Sequence, residues 1–340
     1  MRVDEFDFVL PDELIAQTPL NERDHSRLLV VHKDTGLLED RSFASITEYL
    51  RPMDVLVLND TRVIPARLHG RNPARSGLVE VLLLRPYEQG KWEVLVKPGK
   101  KAGVGAEIVF SPLLACKVVD VTASGGRLVE FAYEGDFDQI LQTLGETPLP
   151  PYIHERIADP ERYQTVYSKH SGSVAAPTAG LHFTPGLLTA VQALGVAICP
   201  LTLHVGLGTF RPVKAELVQD HIMHEEYYEL TEASARVIND RLRCGGRIFA
   251  VGTTSVRVLE TLADESGLIQ AGSGWTDIFI YPGYSFKLVD GLLTNFHLPK
   301  SSLLMLVSAF AGAKTIRDAY EHAIMERYRF FSFGDCMLLV

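Results

Sequence analysis

The 340 residues carry 33 Lys and Arg against 42 Asp and Glu, and the net charge of −9 argues against a uniformly basic nucleic-acid binder while leaving room for a local basic face. A hydrophobic share of 46% with 22% charged residues is that of a folded soluble chain, and its length exceeds one ordinary hydrophobic core, so two domains are expected. Cys116, Cys199, Cys244 and Cys336 stand far apart with no C-x-x-C spacing, which fits reduced thiols better than a zinc site or a disulfide framework.

The first stretch, "MRVDEFDFVLPDELIAQ", mixes acids with its apolar residues and lacks the apolar centre of a signal peptide. "DVLVLND" (54–60) reads as a buried strand running into a polar loop. From about Ala66 to Tyr133 short strand-like runs such as "GLVEVLLLR", "KWEVLVKP" and "RLVEFAY" alternate with glycine-rich turns, the pattern of a small antiparallel barrel or sandwich. The Pro-rich "ETPLPPYI" closes that module. Beyond it, "LGVAICPLTLHVG" reads as a strand after a helix ending at Gly195, and "TEASARVINDRLRCGG" as a helix N-capped by Thr231. "RIFAVGTTSVRVLETL" reads as strand, turn and helix, and "TDIFIYPG" as a further strand. "SSLLMLVSAFAGA" and "KTIRDAYEHAIMERY" read as closing helices. The first of these is too short for the ~18 apolar residues of a membrane span, so a cytoplasmic protein is expected. Strands alternating with helices predict a largely parallel sheet. The expected fold is an α/β main domain over residues 1–65 and 150–340, with an inserted small antiparallel β-barrel domain over 66–149.

Several stretches can carry chemistry. In "FAVGTTSVR", a buried strand leads through Gly252, Thr253, Thr254 and Ser255 into a helix. First-turn N–H groups lack intrahelical partners and the helix dipole favours negative charge, so this turn, with Arg257 nearby, suits a carboxylate or phosphate; it equally suits plain helix capping. It is neither a P-loop nor a G-x-G-x-x-G fingerprint, so a dinucleotide is not expected. His182, His204, His221, His224 and His297 all fall in Gly- or Pro-punctuated segments. On a helix, His221 and His224 would share a face and form a metal pair, but no third ligand is evident, and an acid–base cluster or a surface pair reads as well. "RDHSRLLV" and "NDTRVIPARL" set acids beside arginines at the edges of apolar runs: Arg23, Asp24 and Arg27 in one, Asp60 and Arg62 in the other. These are salt bridges, or groups for ribose hydroxyls and anions. "GSVAAPTAGLHFT" (172–184) has almost no side-chain bulk before His182 and Phe183, which lets backbone approach a ligand closely. Between Arg62 and Lys101 nine bases face three acids, a candidate footprint for a phosphate backbone or an ordinary solvated surface.

Together these stretches resemble the S-adenosylmethionine:tRNA ribosyltransferase-isomerase family of queuosine synthesis. The resemblance rests on "FDFVLPDELIAQTP", "RDHSRLLV", "DVLVLNDTRVIPARL", "YQTVYSKHSGSVAAPTAGLHFT", "LHVGLGTFRPV", "GTTSVRVLE", "TDIFIYPGYSFKLVDGLLTNFHLPKSSLLMLVSAFAG" and "FFSFGDCMLLV", in order and nearly from end to end. The barrel region matches only loosely. One departure is "MHEE", with Glu225 where the family commonly has Ser, so a role for that hydroxyl does not carry over.

The resemblance implies an enzyme that moves the ribosyl part of S-adenosylmethionine onto the aminomethyl group of 7-aminomethyl-7-deazaguanine at the tRNA wobble position. Rearrangement there gives epoxyqueuosine, with loss of adenine and methionine. S-adenosylmethionine is then a consumed co-substrate, no metal or redox cofactor is needed, the anticodon arm of tRNA is the partner, and the chain is expected to be a monomer with no membrane. The sulfonium acidifies the sugar 5′ carbon and adenine leaves more readily when protonated, so a base and an acid are required. The candidates are His182, His204 and His224 with Glu226 and Asp60. Binding candidates are Arg23, Asp24, Arg27, Arg62, Pro177, Thr178, Ala179, Gly180, Phe183, Thr209, Arg211, Gly252 to Ser255 and Arg257, faced by Asp277, Tyr281, Asn295 and His297. Two other readings compete. A methyltransferase acting on RNA should show a Gly-rich loop after its first strand and an acid ending the next, and neither appears. A non-catalytic tRNA-binding protein leaves the five loop-associated histidines unexplained.

Overall fold

In the computed structural model, which describes residues 1–87, 90–122, 125–206 and 212–340, the apolar runs become strands of two separate sheets. The chain starts with β1 (Arg27–Val31), β2 (Leu38–Ser42), β3 (Val55–Asn59) and β4 (Thr61–Val63). Six strands follow: β5 (Arg67–Arg71), β6 (Leu78–Pro86), β7 (Lys91–Lys97), β8 (Glu107–Ser111), β9 (Leu114–Val121) and β10 (Arg127–Tyr133). After helix α1 (Phe137–Leu144), β11 (His170–Ser173) pairs with β4. The rest comprises α2 (Pro185–Ala193), β12 (Ala197–Leu203), β13 (Glu226–Leu230), α3 (Glu232–Arg243), β14 (Ile248–Val251), α4 (Thr253–Leu262), β15 (Gly272–Thr276), β16 (Gly291–Asn295), α5 (Ser302–Ala311), α6 (Ala313–Met325) and β17 (Cys336–Leu339). Two compact units result: Met1–Thr61, Pro150–His170 and Ala176–Val340 in the larger, Arg62–Leu149 and Ser171–Ala175 in the smaller.

The larger unit holds a nine-stranded sheet in the order β15-β13-β12-β3-β14-β16-β17-β1-β2. Every residue of β3, β14, β16 and β17 is buried, so both faces of the sheet centre are covered, as continuous apolar runs such as "VLVL" and "IFAV" require. Leu56, Leu58, Phe249, Val251 and Leu293 pack with Phe183, Leu187 and Val191 in one core cluster, while α4 packs on β3, β12, β14 and β16. The sheet is mixed rather than largely parallel. Four neighbouring pairs are parallel, β12–β3, β3–β14, β14–β16 and β17–β1, and four are antiparallel. The consequence is positional. The carboxyl ends of β12, β3, β14 and β16 lie at one edge. β13, β17 and β1 begin at that same edge, and β15 ends there.

The smaller unit is a closed six-stranded antiparallel barrel, β10-β7-β6-β5-β8-β9. Leu68, Val79, Val81, Leu83, Val94, Ile108, Val118 and Val129 are fully buried in it. The fold class is thus an α/β unit with a small antiparallel β-barrel, as the alternation of textures predicts. α1, which the sequence reading did not single out, is N-capped by Asp136, whose carboxylate accepts from the Gln139 N–H.

Two local readings are corrected. "TDIFIYPG" is not a strand: β15 stops at Thr276, whose Oγ1 accepts from the Ile278 N–H and turns the chain away. His221 and His224 do not lie on a helix but on irregular chain leading into β13, so the i, i+3 argument for a metal pair has no basis. Among the described residues no helix is long and apolar enough to cross a membrane.

Candidate active site

The strand edge described above gathers most of the residues singled out in the sequence. β3 ends at Asn59 and delivers Asp60 and Thr61; β12 ends at Leu203 and delivers His204 and Val205; β14 leads to Gly252; β16 leads from Asn295 to His297. β13 begins there with Glu226. In open α/β sheets, ligands bind in the crevice outside the carboxyl ends of parallel strands, where loops and helix N-termini meet. A cleft opens at this edge, lined by Ala176, Pro177, Thr178 and Ala179 on one side and by Gly252, Thr253, Thr254, Thr294, Asn295 and His297 on others, with Tyr152, Val205, Phe331 and Ser332.

Gly252 has φ +85°, which a side chain rarely adopts, although a Cβ there would make only ordinary contacts with the Thr254 hydroxyl and Ala179. The turn therefore lets α4 start directly under the cleft, with Thr253 and Thr254 on its first turn. Asn59, fully buried and absent from the candidates above, binds this corner together. Its Oδ1 accepts from the N–H groups of Thr61 (3.1 Å) and Leu203 (3.0 Å), and its Nδ2 donates to the Leu203 carbonyl (3.0 Å) and to Thr254 Oγ1 (3.4 Å). Next to it, Asp60 accepts a hydrogen bond from Thr202 Oγ1 (2.7 Å), and its other oxygen lies 3.6 Å from His170 Nε2. Burial raises the Asp60 pKa, against the lowering by the Thr202 hydroxyl and His170. His204 Nδ1 lies 2.8 Å from Thr61 Oγ1 and its ring stacks on Tyr227. Burial, then nearby His170, bring its pKa down to about 4. Thr202 and His170 were not among the candidates, because their partners stand 142 and 110 positions away in the chain.

His182 and His297 are nearly fully buried, and burial brings each down to about 3, aided for His182 by Arg23 and Arg329. His297 Nε2 lies 2.8 Å from Thr294 Oγ1. His182 Nδ1 lies 2.7 Å from Ser26 Oγ and its Nε2 3.2 Å from Asn295 Nδ2; Thr178 Oγ1 donates to Asn295 Oδ1 at 3.0 Å. The ring borders a second, smaller cleft lined also by Arg23, Ser26, Arg162 and Phe333.

Other candidates are engaged elsewhere. Phe183, expected beside the ligand, is fully buried, edge-on to Phe43 at 5.0 Å, and belongs to the core. Gly180 is small for the sake of packing: a Cβ there would stand 2.0 Å from the Tyr167 hydroxyl. Asp24 accepts from Thr184 Oγ1, the N-cap of α2. Arg27 lies over the Tyr328 ring and binds Asp40 and the Glu326 carbonyl. Arg23 donates to the carbonyls of Leu181 and Glu161. The Ser255 hydroxyl turns back to the Val251 carbonyl. Arg257 is no free anion receptor: it forms a buried ion pair with Glu226 and donates to the carbonyls of Thr276 and Ile278, while Glu226 also accepts from the Gly206 N–H (2.8 Å). His224 and Asp277 are exposed and Tyr281 is half-buried against Phe279; none of the three lines the cleft, and neither do Asp60 and His204, although His204 directly precedes Val205, which does. Arg62 belongs to the smaller unit, and Thr209 and Arg211 lie outside the described residues.

Comparison with known proteins agrees along the whole chain. A family profile described as queuosine biosynthesis protein matches residues 3–339. The chain is 56% identical over 341 residues to the S-adenosylmethionine:tRNA ribosyltransferase-isomerase of Pelotomaculum thermopropionicum and 58% identical to that of Symbiobacterium thermophilum, with both chains fully covered in each case. The crystal structure of an S-adenosylmethionine tRNA ribosyltransferase from Thermotoga maritima, 40% identical, aligns over 99% of this chain and all of that one with a TM-score of 0.56. The chain therefore belongs to the queuosine biosynthesis protein family.

Proposed function

We propose that the chain is an enzyme that transfers the ribosyl group of S-adenosylmethionine onto 7-aminomethyl-7-deazaguanine at the tRNA wobble position and isomerises it, giving epoxyqueuosine-tRNA, adenine and methionine. The observation that carries this reading is the likeness, at 56–58% identity over both full lengths, to relatives named S-adenosylmethionine:tRNA ribosyltransferase-isomerase. The collection of the shared motifs at one strand edge supports it.

In this reading the cleft takes the nucleoside of S-adenosylmethionine. Backbone from Ala176 to Ala179 and the Asn295 and His297 side form its walls, and the Gly252–Thr254 turn, with its first-turn N–H groups, receives the methionine carboxylate. One proton leaves the sugar carbon next to the sulfonium, and one reaches the departing adenine. His204, kept neutral by burial, and Asp60, whose burial favours the protonated carboxyl, have the opposed tendencies that a base and an acid need. His224 is the remaining imidazole at the start of β13, and Glu226, tied to Arg257 and the Gly206 N–H, orients that wall. No metal or redox group takes part in these steps. The barrel, with Arg71, Arg75, Lys97 and Lys100 exposed, attracts the tRNA backbone.

Incubation with S-adenosylmethionine labelled in its ribose and methyl groups and with hypomodified tRNA tests the reading. Release of adenine and methionine with ribose label on the tRNA is expected. S-adenosylhomocysteine with methyl label on the tRNA would mean methylation, and tRNA binding without turnover would mean a binding protein.

A further inference from the structure

His182 stands out in the sequence as a proton carrier, yet neither of its ring nitrogens is free. The key is the Asn295 carboxamide. Its Nδ2 faces three groups: His182 Nε2 at 3.2 Å, the Phe331 carbonyl at 3.2 Å and the Asp335 carbonyl at 3.4 Å. Its Oδ1 accepts from the Thr178 hydroxyl. Carbonyls only accept, so the atom facing two of them is the nitrogen; the flipped amide would set three oxygens against one another. The two N–H groups of that nitrogen serve three neighbours and offer no lone pair, so a proton on His182 Nε2 would have no acceptor there and Nε2 presents its lone pair instead. The ring proton then sits on Nδ1, 2.7 Å from Ser26 Oγ, and the Ser26 hydroxyl in turn reaches the Arg23 carbonyl at 3.4 Å.

A second proton on this ring would bring Nε2–H against the Asn295 N–H. The charged groups around it also oppose a cation. Arg23 and Arg162 line the cleft that His182 borders, and Arg329 adds to the positive field. Asp335, behind Asn295, already receives the backbone N–H groups of Arg27 and Arg329. Phe43 covers the ring at 5.1 Å. An imidazole so enclosed is a neutral acceptor with one fixed tautomer.

We infer that His182 is a positioning residue rather than a proton carrier: held as the Nδ1–H tautomer, it fixes the Asn295 carboxamide and, through it, the Thr178 hydroxyl on the wall of the main cleft. The role in turnover rests on the function proposed above; the tautomer does not. This changes what a substitution must preserve. An acceptor in the place of Nε2 keeps Asn295 aligned, and no titrating group is needed there. Glutamine offers an amide oxygen at about that reach, whereas alanine leaves Asn295 unbraced.

Two measurements test this. In the free protein, with 15N-labelled histidine and the His182 signals identified by their loss in His182→Gln, Nδ1 is expected to give a protonated-type and Nε2 an unprotonated-type resonance, unchanged from about pH 8 to about pH 5. The opposite tautomer, or a ring that titrates in that interval, overturns the inference without touching the proposed reaction. In turnover, His182→Gln is expected to keep kcat within about tenfold of the native enzyme, with both limbs of the pH profile in place, and His182→Ala to lose about a hundredfold through misplacement. His182→Gln as inactive as His182→Ala, or with a missing limb, overturns the inference, as does a fully active His182→Ala. Should His182→Ala not fold, the glutamine variant and the resonances decide. A native protein that releases no adenine defeats the proposed reaction and with it the turnover role, while the resonances still decide the tautomer.

Discussion

The strand edge of the larger unit and the barrel of the smaller one hold their polar residues in opposite ways. At the strand edge Asn59, Asp60, Asn295 and His297 are buried and each has a named partner in the fold. On the barrel Arg71, Arg75, Lys97 and Lys100 are exposed, and the pairs Arg67–Glu80 and Arg85–Glu93 already neutralise part of the basic excess. Burial makes a group's protonation state depend on its few neighbours, whereas exposed charges act through a screened, additive field. The proposed function gives the two regions different tasks, chemistry in one and attraction of a polyanion in the other. Substitutions should separate them.

The largest effect is expected at the buried Glu226–Arg257 pair. Arg257→Leu leaves the Glu226 carboxylate without its counter-charge, and a loss of about 3–5 kcal/mol is expected in denaturant unfolding. An unchanged unfolding midpoint would mean that this end of the sheet is far less rigid than its hydrogen bonds imply. Asp60→Asn comes next: the fold has room for an amide, but turnover should fall by about a hundredfold or more. Because burial raises the folded pKa of Asp60, the same variant should be no less stable than the native protein at neutral pH. A loss of stability that matches the loss of rate would make Asp60 structural.

The pH dependence of stability reports on the buried rings. His182 and His297 hold values of about 3 in the folded chain against about 6.5 when unfolded. Above pH 6.5 neither state takes up these protons, so stability is full. Below it the unfolded chain binds them and the folded chain does not, and each ring removes about 1.4 kcal/mol per pH unit until about pH 3. Urea midpoints at falling pH should show this slope, and His182→Gln should remove one ring's share. An unchanged slope would place the acid sensitivity elsewhere.

How much of this was legible follows the range over which each signal acts. The Gly252 turn could be read because a buried strand, a small-residue turn and a helix start are contiguous. The barrel could be read from repeated short strands with glycine turns. Strand direction could not: β16 and β17 pair antiparallel and β17 and β1 parallel, and no local pattern distinguishes them. Phe183 looked like a ligand wall because a loop aromatic has no periodicity to reveal that Phe43 covers it. Arg257 looked like an anion receptor because Glu226 stands 31 positions earlier on another strand. His182 reads as an acid–base group from residue type alone; its neutral role depends on Asn295, 113 positions away.

On the barrel, replacing Arg71, Lys97 and Lys100 together by alanine should leave adenine release per bound tRNA unchanged and weaken tRNA binding. The salt dependence of log Kd should flatten by up to about 2.7 units, since each lost phosphate contact removes about 0.7–0.9. Folding stability should move by no more than about 0.5 kcal/mol per site, because none of these side chains is buried. A fall in kcat with an unchanged salt slope would transfer these residues to the chemistry and erase the contrast between the regions.

The smallest effect tests the one departure from the family pattern. Glu225 is exposed and immediately precedes β13, while its neighbour Glu226 is committed to Arg257 and the Gly206 N–H. Glu225→Ser restores the hydroxyl without touching that pair. Stability should shift by less than about 0.5 kcal/mol, and kcat/KM, on the same energy scale, by no more than about twofold. A rise of tenfold or more would show that a hydroxyl at this position assists the reaction and that the strand edge extends its chemistry to an exposed residue. Little change would leave the chemistry with the buried and half-buried side chains at the ends of β3, β12 and β16, whose protonation depends on their neighbours in the fold.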